Sequence, residues 1–251
     1  MANTARVGDG PETIAGKGAI VTGGTTGIGR ATALRLAADG AKVLICGRHQ
    51  RELDDAMADL REAGGEVHGM TVDLSRREDA TRLFAEADRL LGRVDILVNN
   101  AALGAGGIGD ESESDWEYVI RTNLIGYLAC AREAIARMRA AGAGHIVNIG
   151  SMSADVREEG SSVYVATKSA IQGFSESLRK EVNKLGIKVS LIEPGAVGTD
   201  MQPDKETHAA QAESGEMLKA EDIADCVLFC LTQPWRCDVV AVSIRPHAQE
   251  I

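Results

Sequence analysis

Gly18-Ala19-Ile20-Val21-Thr22-Gly23-Gly24-Thr25-Thr26-Gly27-Ile28-Gly29, continuing into Arg30-Ala31-Thr32-Ala33-Leu34-Arg35-Leu36-Ala37-Ala38, is the stretch that decides the fold. Its opening residues are a short apolar run, its middle a glycine turn, and its end an alanine-rich segment with helical periodicity. Strand, glycine turn and helix together place an anionic group on the positive end of a helix dipole. The glycines let the backbone turn sharply, approach a pyrophosphate and pack helix against strand. The spacing here is G-x-x-x-G-x-G and not G-x-G-x-x-G. Taken alone, the segment also admits a glycine-rich turn that binds nothing.

Outward from this unit, strands alternate with helices to the end of the chain. Lys42 to Cys46 reads as a second strand, Gln50 to Ala63 as a helix closed by Gly64-Gly65, and Glu66 to Val72 as a third strand. Arg76 to Leu91 is helical, with Leu83, Phe84, Ala87, Leu90 and Leu91 on one side. Val94 to Val98 is the near-continuous apolar run of a parallel strand buried on both faces. Helices over Ser114–Ala141, Val163–Leu185 and Ala220–Leu231 and strands over His145–Ile149, Ile187–Ile192 and Asp238–Ser243 complete the pattern. The expected fold is α/β, a doubly wound, Rossmann-like parallel sheet of about seven strands with helices on both faces. Ligands in such sheets bind beyond the carboxyl ends of the strands. Gly23, Gly47, Asp73, Asn100, Ser151 and Gly195 all fall just past such ends, which points to a single site.

Chemistry collects at the same rim. Tyr164 and Lys168 stand at i and i+4 of a helix and so share a face, and Ser151 lies upstream of them. Phenol, ammonium and hydroxyl can meet around one substrate carbonyl. An ammonium beside a phenol favours the phenolate and is expected to lower the Tyr164 pKa, making it a usable proton donor and acceptor.

In their order, these motifs resemble the short-chain dehydrogenase/reductases: T-G-x-x-x-G-x-G at Thr22 to Gly29, Asp73, N-N-A at Asn99 to Ala101, Asn123, Ser151, Tyr164, Lys168, Pro194-Gly195 and Thr199. The resemblance spans residues 17 to 245. Two departures stand out: Ala102, where the family usually has glycine, and a C-terminus, I-R-P-H-A-Q-E, without the D-G-G ending of many members. In that respect the chain looks more like the branch with serine and 3-hydroxy acid dehydrogenases. The resemblance implies Ser151, Tyr164, Lys168 and Asn123 as catalytic residues, Asn123 opening a water-linked proton path to the lysine. It implies cofactor contacts from Gly23, Thr25, Thr26, Ile28, Gly29, Arg48, Asp73, Leu74, Asn100, Tyr164, Lys168, Gly195, Val197 and Thr199. Asp73 would accept from the adenine amino group, Asn100 would line the cofactor through its backbone, and Lys168 would hold the nicotinamide ribose. Helix N-capping at Arg76 is better assigned to Ser75 than to Asp73. Asparagine is a poor helix former, and such a local conflict at Asn123 is expected at a functional position.

The end of the second strand decides between nucleotides. An NAD site wants an acid there, whereas an arginine accommodates a 2′-phosphate. The chain reads Ile45-Cys46-Gly47-Arg48-His49, so the acid is missing and Arg48 supplies a planar, permanent cation. NADP is favoured and NAD stays open, because Thr26 stands where many NADP-using relatives carry a second basic residue.

With 251 residues the chain suits one large domain, read as a loosely ordered tail over 1–14 and a single dinucleotide-binding domain over 15–251. A net charge of −10 argues against nucleic acid or an anionic membrane as partner. No apolar stretch approaches a membrane span, and no signal-peptide core opens the chain. An odd count of 5 cysteines without zinc spacing fits a reducing compartment, hence a cytoplasmic location. Cys226 and Cys230 read as a buried thiol pair.

The expected function is hydride transfer between NADP(H) and the carbonyl or hydroxyl carbon of a small substrate, with tyrosine as general acid and base. The alternative is a cofactor-sensing regulator of the same fold. Thr199 to Lys219, which in the family covers the substrate, is short, polar and without aromatics, favouring a modest ligand over a steroid. Glu158 and Glu159 either border the pocket or form a solvated loop, the latter being the stronger reading. The helices Trp116–Met138 and Tyr164–Val182 resemble those through which relatives form homodimers or homotetramers, although Ile171, Phe174 and Leu178 fit burial against the chain's own sheet equally well.

Overall fold

The computed structural model describes residues 10–110, 112–199 and 210–249. Seven parallel strands form one sheet in the order β3-β2-β1-β4-β5-β6-β7. They are β1 (Gly18–Thr22), β2 (Lys42–Gly47), β3 (Val67–Thr71), β4 (Ile96–Asn99), β5 (Gly144–Ile149), β6 (Ile187–Pro194) and β7 (Ala241–Ile244). Between them run helices α1 (Gly27–Ala38), α2 (Gln50–Ala63), α3 (Arg77–Leu91), α4 (Glu113–Ile120), α5 (Gly126–Ala141), α6 (Ser153–Val156), α7 (Ser162–Val182) and α8 (Ala220–Thr232).

Strand side chains alternate between two cores, as a pleated strand covered on both faces requires. Ala19, Val21, Val43, Ile45 and Val98 pack with Leu36 of α1, Leu53 of α2 and Val227 of α8. Ile20, Leu44, Leu97 and Ile146 face the opposite way, onto Phe84 of α3, Met138 of α5 and Leu178 of α7. Ile171 and Leu178 are buried and Phe174 packs against that second core, so these α7 residues serve the chain's own sheet.

β1 is the switch point. The chain moves outward from it to β2 and β3, then returns to β4 on its other side. Val21 is level with both Ile45 and Val98, so the ends of three strands open on one crevice, where such sheets bind ligands.

Several expectations shift. The tail expected up to residue 14 is shorter: Ile14 is buried in the core, and the Glu12 N–H donates to the Thr232 carbonyl at 2.8 Å. Residues 1–9 lie outside the described residues. Arg76, and not Ser75, occupies the N-cap of α3, with no side-chain cap, because the Ser75 N–H is drawn at 3.0 Å to the Asp73 carboxylate. The long helix expected from Ser114 runs on unbroken to Ala141, but widens at Arg121–Ile125 into a turn of π-helix centred on Asn123. Cys230 is buried and Cys226 half-buried, each a free thiol.

Candidate active site

Thr22 ends β1 and hands the chain to Gly23, whose φ of 62° needs glycine. A Cβ there would lie 2.8 Å from Ala101 Cα, and one at Gly29 would lie 2.1 Å from the Gly23 carbonyl oxygen. The turn is therefore compact, with Gly29 buried within it. Asn100 locks it from the side: its Nδ2 donates to the carbonyls of Thr22 at 3.0 Å and Gly23 at 3.1 Å, and its N–H to Thr22 Oγ1 at 2.9 Å. The asparagine side chain thus holds the glycine loop, a role beyond the backbone contact expected of it.

Over this turn lies a cavity of about 900 Å³, lined by Gly23, Thr25, Thr26, Ile28, Gly47, Arg48, Leu74, Asn100 and Thr199. Asp73 is not in the lining, although Val72 and Leu74 on either side are. Its carboxylate is taken up by Tyr118, whose hydroxyl donates at 3.2 Å, and by the Ser75 N–H. Burial works against the charge, but these hydrogen bonds and Arg76 hold the Asp73 carboxyl below its usual range. Tyr118 also accepts from Arg48 Nη1 at 3.0 Å, with the guanidinium over its ring. Arg48 is therefore braced against α4. Nothing in the spacing of the sequence singles out Tyr118, because α4 meets β2 only through the fold.

Next to this cavity is a cleft of about 640 Å³, sharing Ile28, Asn100, Ala102 and Thr199 with it and lined further by Ser151, Glu158, Tyr164, Lys168, Gly195 and Val197. Ser151 follows β5, and Tyr164 and Lys168 come from the first turns of α7. The Ser151 hydroxyl lies beside the Tyr164 phenol, near enough to favour its ionised form. Lys168 is buried below them, its Nζ donating to the Ile149 carbonyl at 3.0 Å and lying 5.6 Å from the centre of the Tyr164 ring. All three expected groups are brought together.

The proton affinities differ from expectation. Burial pushes the Tyr164 phenol above its ordinary value, the Ser151 hydrogen bond opposes this, and the charge of Glu158 adds to it. Burial lowers the Lys168 ammonium to about 8. Desolvation outweighs the pairing assumed for the two groups because Nζ lies at a distance from the ring and its hydrogen bond goes to a carbonyl.

Asn123 is buried and clamps the loop after β4: its Oδ1 accepts from the Leu103 N–H and its Nδ2 donates to the Leu103 carbonyl, each at 2.8 Å. Nδ2 also lies 3.4 Å from Thr167 Oγ1, beside Lys168. π-turns recur at functional sites, and this one lets the side chain reach the loop. Asn99 continues inward, its Nδ2 donating to Asn148 Oδ1 at 3.0 Å, while Asn148 Nδ2 reaches Ser175 at 2.9 Å. The buried network ties β4 and β5 to α7.

The outer wall holds residues that the sequence left in doubt or passed over. Glu158 is exposed yet lines the cleft and binds Ser153, whereas Glu159 is exposed and outside the lining. Gln249, from the unusual C-terminus, accepts at 3.2 Å from the Ala196 N–H and lies over Met152. Residues 196–198 are pinned to Leu218, whose N–H donates to the Ala196 carbonyl at 2.8 Å. Residues 200–209, about half of the segment expected to cover the substrate, lie outside the described residues.

A family model for short chain dehydrogenases matches residues 17–210. The chain belongs to the short-chain dehydrogenase family. An uncharacterized oxidoreductase of Staphylococcus haemolyticus is 35% identical over 92% of this chain and 97% of its own length, and one of Staphylococcus aureus is 34% identical over 92% and 97%. Among solved structures, a metagenomic short-chain oxidoreductase in complex with NADP superposes with a TM-score of 0.82 at 28% identity, covering 95% of this chain and all of that one. A variant of the actinorhodin polyketide ketoreductase with NADPH gives 0.84 at 29% identity, covering 92% and 96%. The chain is thus an oxidoreductase of this family acting on carbonyl or CH–OH groups. Among the described residues no helix is long and apolar enough to cross a membrane.

Proposed function

We propose that this short-chain dehydrogenase reduces the carbonyl of a small substrate with NADPH, Tyr164 serving as general acid. The observation that carries the reading is the grouping of Ser151 and Tyr164 above a buried Lys168, in the cleft that adjoins the glycine-loop cavity.

The larger cavity fits a dinucleotide. Gly23 leaves no side chain to obstruct the loop, and at Gly47 a Cβ would meet Thr25 Oγ1 at 2.6 Å, so only glycine lets the end of β2 pack this closely on the glycine loop. Thr25, Thr26 and Ile28 would line the pyrophosphate, Leu74 and Asn100 the adenosine and ribose side, and Gly195, Val197 and Thr199 the nicotinamide end. With no acid at the end of β2, Arg48 would meet a 2′-phosphate as a fork of donors. The two solved relatives with bound NADP and NADPH support that choice.

When bound, NADPH supplies the hydride. Ser151 and Tyr164, side by side, hydrogen-bond the substrate carbonyl oxygen and stabilise the charge that grows there. Tyr164 then releases its proton to that oxygen. A phenol pushed upward by burial is protonated at neutral pH, as reduction requires. Lys168, still mostly an ammonium at neutral pH, offers the positive charge that eases the proton's departure. Asn123 holds the loop beside the cleft, and its place in the π-turn suits a proton path toward Lys168.

The test is a thermal-shift comparison of NADPH with NADH, followed by NADPH consumption across a panel of small ketones and aldehydes. Stabilisation by NADPH with turnover of panel members is expected. Binding without any turnover would favour a sensor. A variant tests the nucleotide assignment. Tyr118→Phe removes the hydroxyl that braces Arg48 and should weaken NADPH about three- to tenfold, the worth of one charge-assisted hydrogen bond at a partly exposed site, with little change for NADH. Equal weakening of both nucleotides, read by fluorescence titration, would detach Arg48 from the 2′-phosphate.

A further inference from the structure

The charge on the cleft wall narrows the substrate. α6 ends at Arg157, the one non-glycine residue with positive φ among the described residues, at 56°. Such conformations persist only where their surroundings hold them. Here Arg157 Nε donates to the Ala154 carbonyl at 3.2 Å, closing the turn. The turn brings Glu158 to the cleft. One of its oxygens accepts from Ser153 Oγ at 2.5 Å, and Ser153 Oγ accepts from Ser151 at 3.2 Å. Its other oxygen has no partner among the described residues. Glu158 is thus two hydrogen bonds from the hydroxyl that would hold the reacting oxygen. Lys168 is the only other charged side chain lining the cleft among the described residues, and it is buried and bound to the Ile149 carbonyl.

We infer that the cleft selects ketones carrying an ammonium or other strong donor close to the carbonyl, amino ketones above all, and discriminates against keto acids. The inference rests on the oxidoreductase reading. With the carbonyl oxygen at Ser151 and Tyr164, an ammonium one or two carbons away reaches the free oxygen of Glu158. A carboxylate in that place meets a like charge, and the one lining cation, Lys168, is buried beneath Tyr164 with its Nζ bound to the Ile149 carbonyl.

The decisive experiment compares kcat/KM with NADPH for three ketones of matched size, aminoacetone, hydroxyacetone and pyruvate, on the wild type, Glu158→Gln and Glu159→Gln. Glu159 is exposed like Glu158 but lies outside the cleft lining, so it controls for net charge. The wild type should prefer aminoacetone to pyruvate by about a hundredfold, and Glu158→Gln should cut that ratio about tenfold, as for loss of a charged partner. Glu159→Gln should leave it in place. A wild type that prefers pyruvate, or equal shifts in both variants, overturns the inference. Should no carbonyl in the wider panel be reduced, the oxidoreductase reading fails, and calorimetric binding of 1-aminopropan-2-ol against lactate in the presence of NADP still decides this one. Preference for the amine upholds it, and the lack of such preference overturns it.

Discussion

Tyr164→Phe is expected to lower kcat/KM by about a thousandfold or more while the protein still binds NADPH, because general acid catalysis of this kind contributes about 10²–10⁴ in rate. The ring is half-buried, and phenylalanine fills the same space. The hydroxyl lies beside Ser151, whose own hydroxyl donates to Ser153 at 3.2 Å. The variant therefore strands no buried polar group, and its stability should change by less than about 1 kcal/mol. Tyr164 is absent from the lining of the larger cavity, so the nucleotide keeps nearly all its contacts. Steady-state kinetics and NADPH-induced thermal shift on the same preparation separate the two effects. A Phe variant with turnover near wild type would remove Tyr164 as the acid and send the search to Ser151 or a bound water.

How much of this site was legible beforehand follows from where each residue sits in the chain. The glycine turn, Tyr164 and Lys168 were readable because their geometry is local: a turn between adjacent elements and two positions on one helix face. Strand ends were readable because alternation forces every β-to-α turn onto one rim. Ser151 needed the family's order of motifs. What escaped was long-range. Tyr118 reaches Arg48 across 70 residues, and Gln249 meets Met152 across 97. No pattern encodes either. Asn123 was flagged by its poor helix propensity, but the π-turn that resolves the conflict is set by Leu103 on a separate loop. The pairing of Asp73 with Tyr118 escaped for a similar reason: α4 supplies the hydroxyl that meets its carboxylate. The proton affinities were misjudged because pairing can be guessed from spacing, whereas burial cannot.

That last error has a measurable consequence at Lys168. Lys168→Met should destroy activity, by about a hundredfold at least, and yet make the protein more stable at neutral pH. The ammonium is almost wholly buried, 3% exposed, and burial lowers its pKa to about 8 from an ordinary lysine value. The unfolded chain therefore holds this proton more tightly than the folded one. At pH values below about 8 both states are charged, and the fold bears the full cost of the buried ammonium, on the order of 3 kcal/mol. As pH rises from about 8 toward the unfolded value near 10.4, the unfolded state binds more protons than the folded one and wild-type stability rises. Methionine fills similar volume without the charge. The Ile149 carbonyl keeps a donor, because the Tyr127 hydroxyl also reaches it at 3.2 Å. Allowing for the lost Nζ hydrogen bond, the variant should gain about 1–2 kcal/mol, or about 3–6 °C in Tm, at neutral pH. The advantage should shrink as pH climbs past 8. Thermal melts of both proteins across that range give the answer. A variant less stable than wild type at neutral pH would mean that the ammonium is better solvated than its burial indicates. A gain in stability with loss of turnover would mark Lys168 as a charge kept in the core against the interest of the fold, for the sake of the cleft above it.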